Sequence, residues 1–312
     1  MQATLPPSNE SLTESMIAQG AISSRSIINA FEQTDRAHFL QRPEDQSMSE
    51  DIDDVYQDMP LRHGIVHLSA PSIYGVALEA LELEQGNTFL NVGSGTGCAC
   101  LHSNIHESHQ NPDVTPSPTS EPEKRHLLAP LSNVCTPARS CTDLSSLAAC
   151  IIGRRAIQFG IECREELIQH SRSRLDELGH THVQLVHANC FELDPESSMR
   201  FQRIYVGAGA SQRTASILFR MLEIGGIIVG PFSGAHGNQR LLRARRIGEA
   251  KFEVSEVLSV QFTPMSTHKH AGRITGLKRT TCGPSHLSTS SPCAHLCACY
   301  PLPPLPLPSL PP

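Results

Sequence analysis

With 312 residues, 39% of them hydrophobic, the chain is long enough to bury a substantial core, and no apolar run approaches the roughly 20 residues that span a bilayer. A net charge of -6 argues against a broad nucleic-acid footprint, and the opening MQATLPPSNE lacks the basic and apolar regions of a secretory signal, so a cytosolic, non-membrane protein is expected. The 11 cysteines are odd in number, and without an export signal they read as reduced thiols rather than a disulfide framework.

In chain order, Ser8 or Asn9 is placed to cap a first helix whose apolar face includes Leu12, Met16 and Ile17, with Gly20 at its end. A second helix follows Ser23 with Ile27, Ile28, Ala30 and Phe31, and runs into DRAHFL. Residues 41–60 are acidic and turn-rich and carry no period. From Pro71 the apolar residues Ile73, Val76, Ala77, Ala80 and Leu81 recur at three and four, which predicts a helix with proline at its first position, closed by Gly86.

TFLNV (88–92) reads as a short buried strand that feeds the glycine turn GSGTG. Further strands are predicted at 156–161, 183–187, 203–206 and 226–230, separated by helical patterns at 165–178 and 214–223, with the last strands within 252–263. Strands alternating with helices specify a parallel α/β sheet. LLRARRIG (241–248) is locally basic and is expected to be a solvated face.

Two segments depart from this pattern. Residues 98–143 hold six prolines and many serines without a hydrophobic period, and read as a disordered insertion. Residues 266–312 end in PLPPLPLPSLPP, a low-complexity proline tail. The ordered part is thus a domain over 9–265 interrupted by the insertion. Cys98 and Cys100, Cys297 and Cys299, and the nearby Cys293 and His295 match no strong zinc spacing, so no metal site is assigned.

A strand that feeds G-x-G-x-G can bring its backbone close to a ligand, because glycine tolerates the positive φ of the turn and has no Cβ in the way. The companion signal is an acidic residue at the end of the next strand, where a carboxylate accepts both ribose hydroxyls. Glu162, ending QFGIE, is that candidate. It lies 69 residues beyond Gly93, whereas such units place the acid about 20 residues on. Removing the 46 residues of 98–143 leaves 23 and joins the turn directly to the helical LSSLAACIIG (144–153). Composition and spacing therefore mark the same insertion, of the kind that a retained intron or an alternative splice form would leave.

The ordered set HLSAPSIYGVALEAL (67–81), FLNVGSGTG (89–97), GIE (160–162), RIYVGAGA (203–210), GGIIVGPF (225–232) and VQFTP (260–264) resembles the protein-L-isoaspartate O-methyltransferases. The forms HLSAP and RIYVGAG look most like the branch called protein-L-isoaspartate O-methyltransferase domain-containing proteins, while GAHGNQRL (234–241) looks more like the catalytic branch. The resemblance implies a Rossmann-like fold with a seven-stranded, mostly parallel sheet. It also implies methyl transfer from S-adenosylmethionine to the α-carboxylate of a damaged aspartyl residue in proteins or peptides.

By the same resemblance, Ser69 of S-A-P lies at the methyl-transfer site, with capping of the helix at Pro71 as its alternative or additional role. Gly93, Ser94, Gly95 and Gly97 would contact the cofactor at the turn, Glu162 its ribose, and Asn189, standing where the family has aspartate, its adenine. After S-A-P this chain continues with Ser72 and Ile73 where the catalytic enzymes have histidine and methionine. The domain-containing branch suggests an alternative, a substrate adaptor of a cullin-type ubiquitin ligase that contacts elongin through a C-terminal SOCS-like box. Residues 266–312 show no amphipathic helices for that docking element.

Overall fold

A computed structural model of the chain describes residues 7–40, 54–63, 66–94, 142–195, 199–233, 239–260, 262 and 265. Helix α1 (Asn9–Ala18) begins at Ser8, whose hydroxyl accepts the Ser11 N–H at 3.1 Å while Ser11 Oγ accepts the Ser8 N–H at 2.9 Å. That reciprocal pair satisfies two of the donors a helix start leaves without partners. The chain turns at Gly20, where a φ of 72° lets the Ala21 N–H reach the Met16 carbonyl. Leu12 and Met16 are buried, but Ile17, expected beside them, is 42% exposed.

Helix α2 (Arg25–Gln33) is held at its start by Glu79, whose carboxylate accepts the Ser23 and Ser24 N–H groups at 2.6 and 2.7 Å. A single turn of 3-10 helix over Arg36–Phe39 follows. The strands β1 (Leu61–His63) and β2 (Val66–Leu68) then form an antiparallel hairpin just beyond the aperiodic stretch 41–60, where the sequence predicts no element. Helix α3 (Pro71–Leu81) buries Tyr74, Ala77, Leu78 and Leu81, whereas Ile73, Val76 and Ala80 of the expected stripe are only half-buried. It ends not at Gly86 but at Glu82, which takes a left-handed φ of 51°. The Glu82 carboxylate is clamped there by Arg243 and Arg245.

The main sheet contains β3 (Phe89–Val92), β4 (Gln158–Glu162), β5 (Gln184–His187), β6 (Phe201–Val206), β7 (Leu222–Ser233), β8 (Gln239–Arg246) and β9 (Phe252–Ser259) in the order β5-β4-β3-β6-β7-β8-β9. Pairings from β5 to β7 are parallel, and β8 runs antiparallel to both of its neighbours. Helices α4 (Thr142–Ile152), α5 (Glu165–Glu177) and α6 (Gln212–Arg220) fill the crossovers. This is the α/β sheet that the alternation of elements predicts, in the Rossmann-like, seven-stranded and mostly parallel form that the resemblance implies.

All four residues of β3 are buried, and their side chains alternate between two layers. Phe89 packs with α1–α4, while Leu90 and Val92 join Leu218 and Phe219 of α6 on the opposite face. The LLRARRIG stretch is not a solvated face but most of β8, with Leu241, Leu242 and Ala244 buried and Arg243 and Arg245 paired to Glu82. β7 begins at Leu222, within the stretch that periodicity assigns to a helix through Glu223. Helix α4 takes in Thr142 and Asp143, which composition groups with the insertion. The rest of that insertion and the tail lie outside the described residues.

Candidate active site

β3 has parallel neighbours on both sides, β4 and β6, which leave by crossovers in opposite directions. The crevice beyond the carboxyl end of such a strand is where open α/β sheets bind ligands. Here Gly93 takes a φ of 82°, and the Gly93 and Ser94 N–H groups both donate to the Ile161 carbonyl, at 2.8 and 2.9 Å. Ser94 then folds over β4. A Cβ on Gly160 would lie 2.7 Å from Ser94 Oγ and 2.8 Å from its Cβ, so only glycine admits this approach. Ser94 Oγ is buried, in a residue 1% exposed, without a hydrogen-bond partner among the described residues. An orphaned hydroxyl of this kind is costly unless something binds there. Gly95 and Gly97 lie outside the described residues.

Glu162 ends β4 and is buried; its Oε1 accepts the Arg164 N–H at 3.0 Å, which orients the carboxylate at the mouth of the crevice. Its carbonyl accepts the Ala188 N–H, bringing the end of β5 alongside. Asn189 follows there and caps the 3-10 turn Cys190–Glu192, its Oδ1 accepting the Phe191 N–H at 3.1 Å. The side chain that sequence reasoning assigns to adenine is thus also the cap of a turn. Gly93, Ser94, Glu162 and Asn189 are gathered along one edge of the sheet. Helix α4 is pinned beneath them, since Asn91 donates to Ser145 Oγ at 2.8 Å and Gln158 to the Ser145 carbonyl at 2.7 Å.

Ser69 sits between β2 and α3. Ala70, not Ser69, is the N-cap and its side chain makes no cap bond, so the capping role given to the Ser69 hydroxyl is not what the structure has. The Ser72 N–H in the first turn is instead satisfied by Asp58 at 2.8 Å. The Ser69 backbone is held at both of its polar groups. Its N–H donates to Tyr74 Oη at 3.0 Å, and its carbonyl accepts from Arg36 Nη1 at 2.8 Å.

Behind this lies Asp143, 4% exposed, which accepts the Leu144 N–H and hydrogen-bonds Tyr74. Burial raises its pKa to about 6, although the Arg36 charge and these hydrogen bonds pull it down. Sequence reasoning missed both residues. Asp143 is the last residue that composition assigns to the insertion, and Arg36 lies in DRAHFL, where the sequence singles out no side chain. Among the described residues no group of three or more His, Cys, Asp or Glu could hold a metal ion.

His67, immediately before this segment, has its pKa lowered to about 4 by burial first and then by Arg62 and Arg36. Its folded pKa lies below the ordinary 6.5, so the folded state resists protonation. The associated stability is present above pH 6.5 and lost as pH falls through 4. His67→Asn is expected to recover about 2 kcal/mol at pH 4.5 relative to the unsubstituted chain, with no gain at pH 8. Urea midpoints at the two pH values check this.

A sequence profile described as Protein-L-isoaspartate(D-aspartate) O-methyltransferase (PCMT) matches residues 7–111 and 141–270. The chain is 26% identical over 255 residues to Protein-L-isoaspartate O-methyltransferase 2 of Pelobacter propionicus, covering 81% of this chain and 88% of that protein. It is also 26% identical over 253 residues to Protein-L-isoaspartate O-methyltransferase of Methanococcus maripaludis, covering 81% and 92%. Among solved structures, a putative protein-L-isoaspartate O-methyltransferase from Plasmodium falciparum, in complex with S-adenosyl-L-homocysteine, superposes with a TM-score of 0.59. Its sequence is 18% identical, and the match covers 84% of this chain and 99% of that one.

Proposed function

The chain belongs to the protein-L-isoaspartate(D-aspartate) O-methyltransferase family, and from that membership we propose that it binds S-adenosylmethionine and methylates the α-carboxylate of isoaspartyl residues in damaged proteins. The observation that supports this reading best is the end of β3. The Ser94 hydroxyl is buried and without a partner over a strand that only glycine lets approach, and the Glu162 carboxylate stands at the end of the next strand. These residues fit the cofactor. Gly93, Ser94, Gly95 and Gly97 would hold its methionine end, Glu162 its ribose and Asn189 its adenine.

When bound, the cofactor supplies a methyl group made electrophilic by its positive sulfur. The acceptor carboxylate is already a nucleophile at neutral pH, so no side chain has to remove a proton. What the protein must contribute is desolvation and alignment. Ser69, its backbone held and its hydroxyl free of partners among the described residues, is the group we assign to aligning the acceptor.

Incubating the full chain with labelled cofactor and an isoaspartyl peptide tests the reading. Transfer to that peptide but not to its aspartyl twin is expected, with kcat about tenfold lower for Ser69→Ala, the equivalent of one lost hydrogen bond in the transition state. Tight S-adenosylhomocysteine binding without any transfer would sink it. The proposed setting is the cytosol, in keeping with Cys150, Cys163 and Cys190 standing outside any disulfide among the described residues. No described helix is long and apolar enough to cross a membrane. Nothing in the comparisons supports the ubiquitin-ligase adaptor reading, and residues 266–312 lie outside the described residues.

A further inference from the structure

Ser69 presents an unusual contrast between its backbone and its side chain. Its N–H donates to Tyr74 Oη and its carbonyl accepts from Arg36, both from side chains that are buried, while its hydroxyl makes no bond among the described residues. Tyr74 and Ser69 are five residues apart, so the phenol reaches back from the first turn of α3 to fix the residue that precedes the helix. For the phenol oxygen to accept the Ser69 N–H, its own hydrogen must point elsewhere. Asp143, hydrogen-bonded to Tyr74 from the first turn of α4, is the acceptor for it. Arg36 completes the arrangement by spanning the Ser69 and Met59 carbonyls at 2.8 and 2.9 Å. The assembly links the start of α4, at the cofactor end of the crevice, to the S-A-P segment.

We propose that Tyr74, oriented by Asp143, is a positioning residue that acts through Ser69, fixing the serine backbone so that its hydroxyl is aimed at the acceptor carboxylate. This rests on the assignment of Ser69 to acceptor alignment. Tyr74→Phe is the sharpest probe, because the ring keeps filling its buried space while the one oxygen that holds the Ser69 N–H is removed. The loss of a single neutral hydrogen bond is worth about tenfold when it is felt in the transition state.

The full chain, Tyr74→Phe, Ser69→Ala and the double variant are compared for methyl transfer to an isoaspartyl peptide and for affinity toward S-adenosylhomocysteine. Peptide affinity is also measured on the S-adenosylhomocysteine-saturated protein, so that the cycle is read from binding as well as turnover. Tyr74→Phe is expected to lower kcat, or weaken peptide binding, about tenfold, with S-adenosylhomocysteine affinity within twofold. In the Ser69→Ala background the same change should cost less than twofold, since its effect travels through the serine.

Three results overturn the proposal, and they are distinguishable. If Ser69→Ala is slow but Tyr74→Phe is not, the serine assignment stands and the relay falls. If Tyr74→Phe costs its full tenfold without Ser69, the tyrosine acts elsewhere. If Ser69→Ala matches the unsubstituted chain, or that chain neither turns over nor binds the peptide, the assignment of the serine fails and takes the relay with it.

Discussion

Replacing Glu162 by alanine is expected to weaken S-adenosylhomocysteine binding about a hundredfold while leaving the fold intact. Glu162 is buried at the carboxyl end of β4, and its backbone partners come from both sides. The Arg164 N–H reaches its side chain, and the Ala188 N–H its carbonyl. A carboxylate fixed there would accept two ribose hydroxyls, each a charge-assisted bond worth roughly 1.5 kcal/mol, and their sum is about two decades of affinity. Glu162→Gln keeps an acceptor but not the charge, so its loss should be about tenfold. The exposed Glu166, paired with Arg164, supplies a control four residues away whose alanine variant should bind normally. Calorimetric titration with S-adenosylhomocysteine checks all three. An affinity within threefold of the unsubstituted chain for Glu162→Ala would remove this residue from the cofactor site.

That Glu162 could be picked out at all depended on local signals: a short buried strand, a glycine turn, and an acid whose spacing became sensible once a composition-biased segment was set aside. The strands β3 to β6 were legible for the same reason, being short apolar runs bounded by turn residues. β8 was not, because in a strand whose arginines are paired from outside the sheet, alternation of Leu242 and Ala244 with Arg243 and Arg245 reads as a basic surface. The partner that makes sense of it, Glu82, lies more than 150 residues earlier, which no local pattern can reveal. The same limit hid the setting of Ser69. Its motif was recognisable by resemblance, but the residues that hold it come from separate elements. Arg36 precedes the hairpin, and Asp143 opens α4 across the insertion. Only Tyr74 is close in sequence, and there the expected helix face was displaced by one position.

Removing Arg36 should cost about 3–5 kcal/mol at neutral pH, the largest stability effect expected of any single charge here. Arg36 is 5% exposed, and its guanidinium donates to the Ser69 and Met59 carbonyls and attracts the Asp143 carboxylate. Arg36→Ala would leave two carbonyls short of a donor and a buried carboxylate without its compensating charge. The pH dependence separates the two contributions. Burial raises the Asp143 pKa from 3.8 to about 6, so the stability tied to its protonated form is fully present below 3.8 and lost as pH rises through 6. Without Arg36 that pKa climbs further, and at pH 5 the carboxyl stays neutral and needs no partner.

The deficit of Arg36→Ala should therefore be about half as large at pH 5 as at pH 7.5. Because Arg36 also lowers the His67 pKa, the comparison belongs in the His67→Asn background, where that second titration is gone. Urea midpoints at the two pH values give the answer. A deficit equal at both would mean that Arg36 serves the two carbonyls alone. A deficit that shrinks in acid, and that loses its pH dependence once Asp143→Asn is added, would identify the buried carboxylate as the group Arg36 compensates.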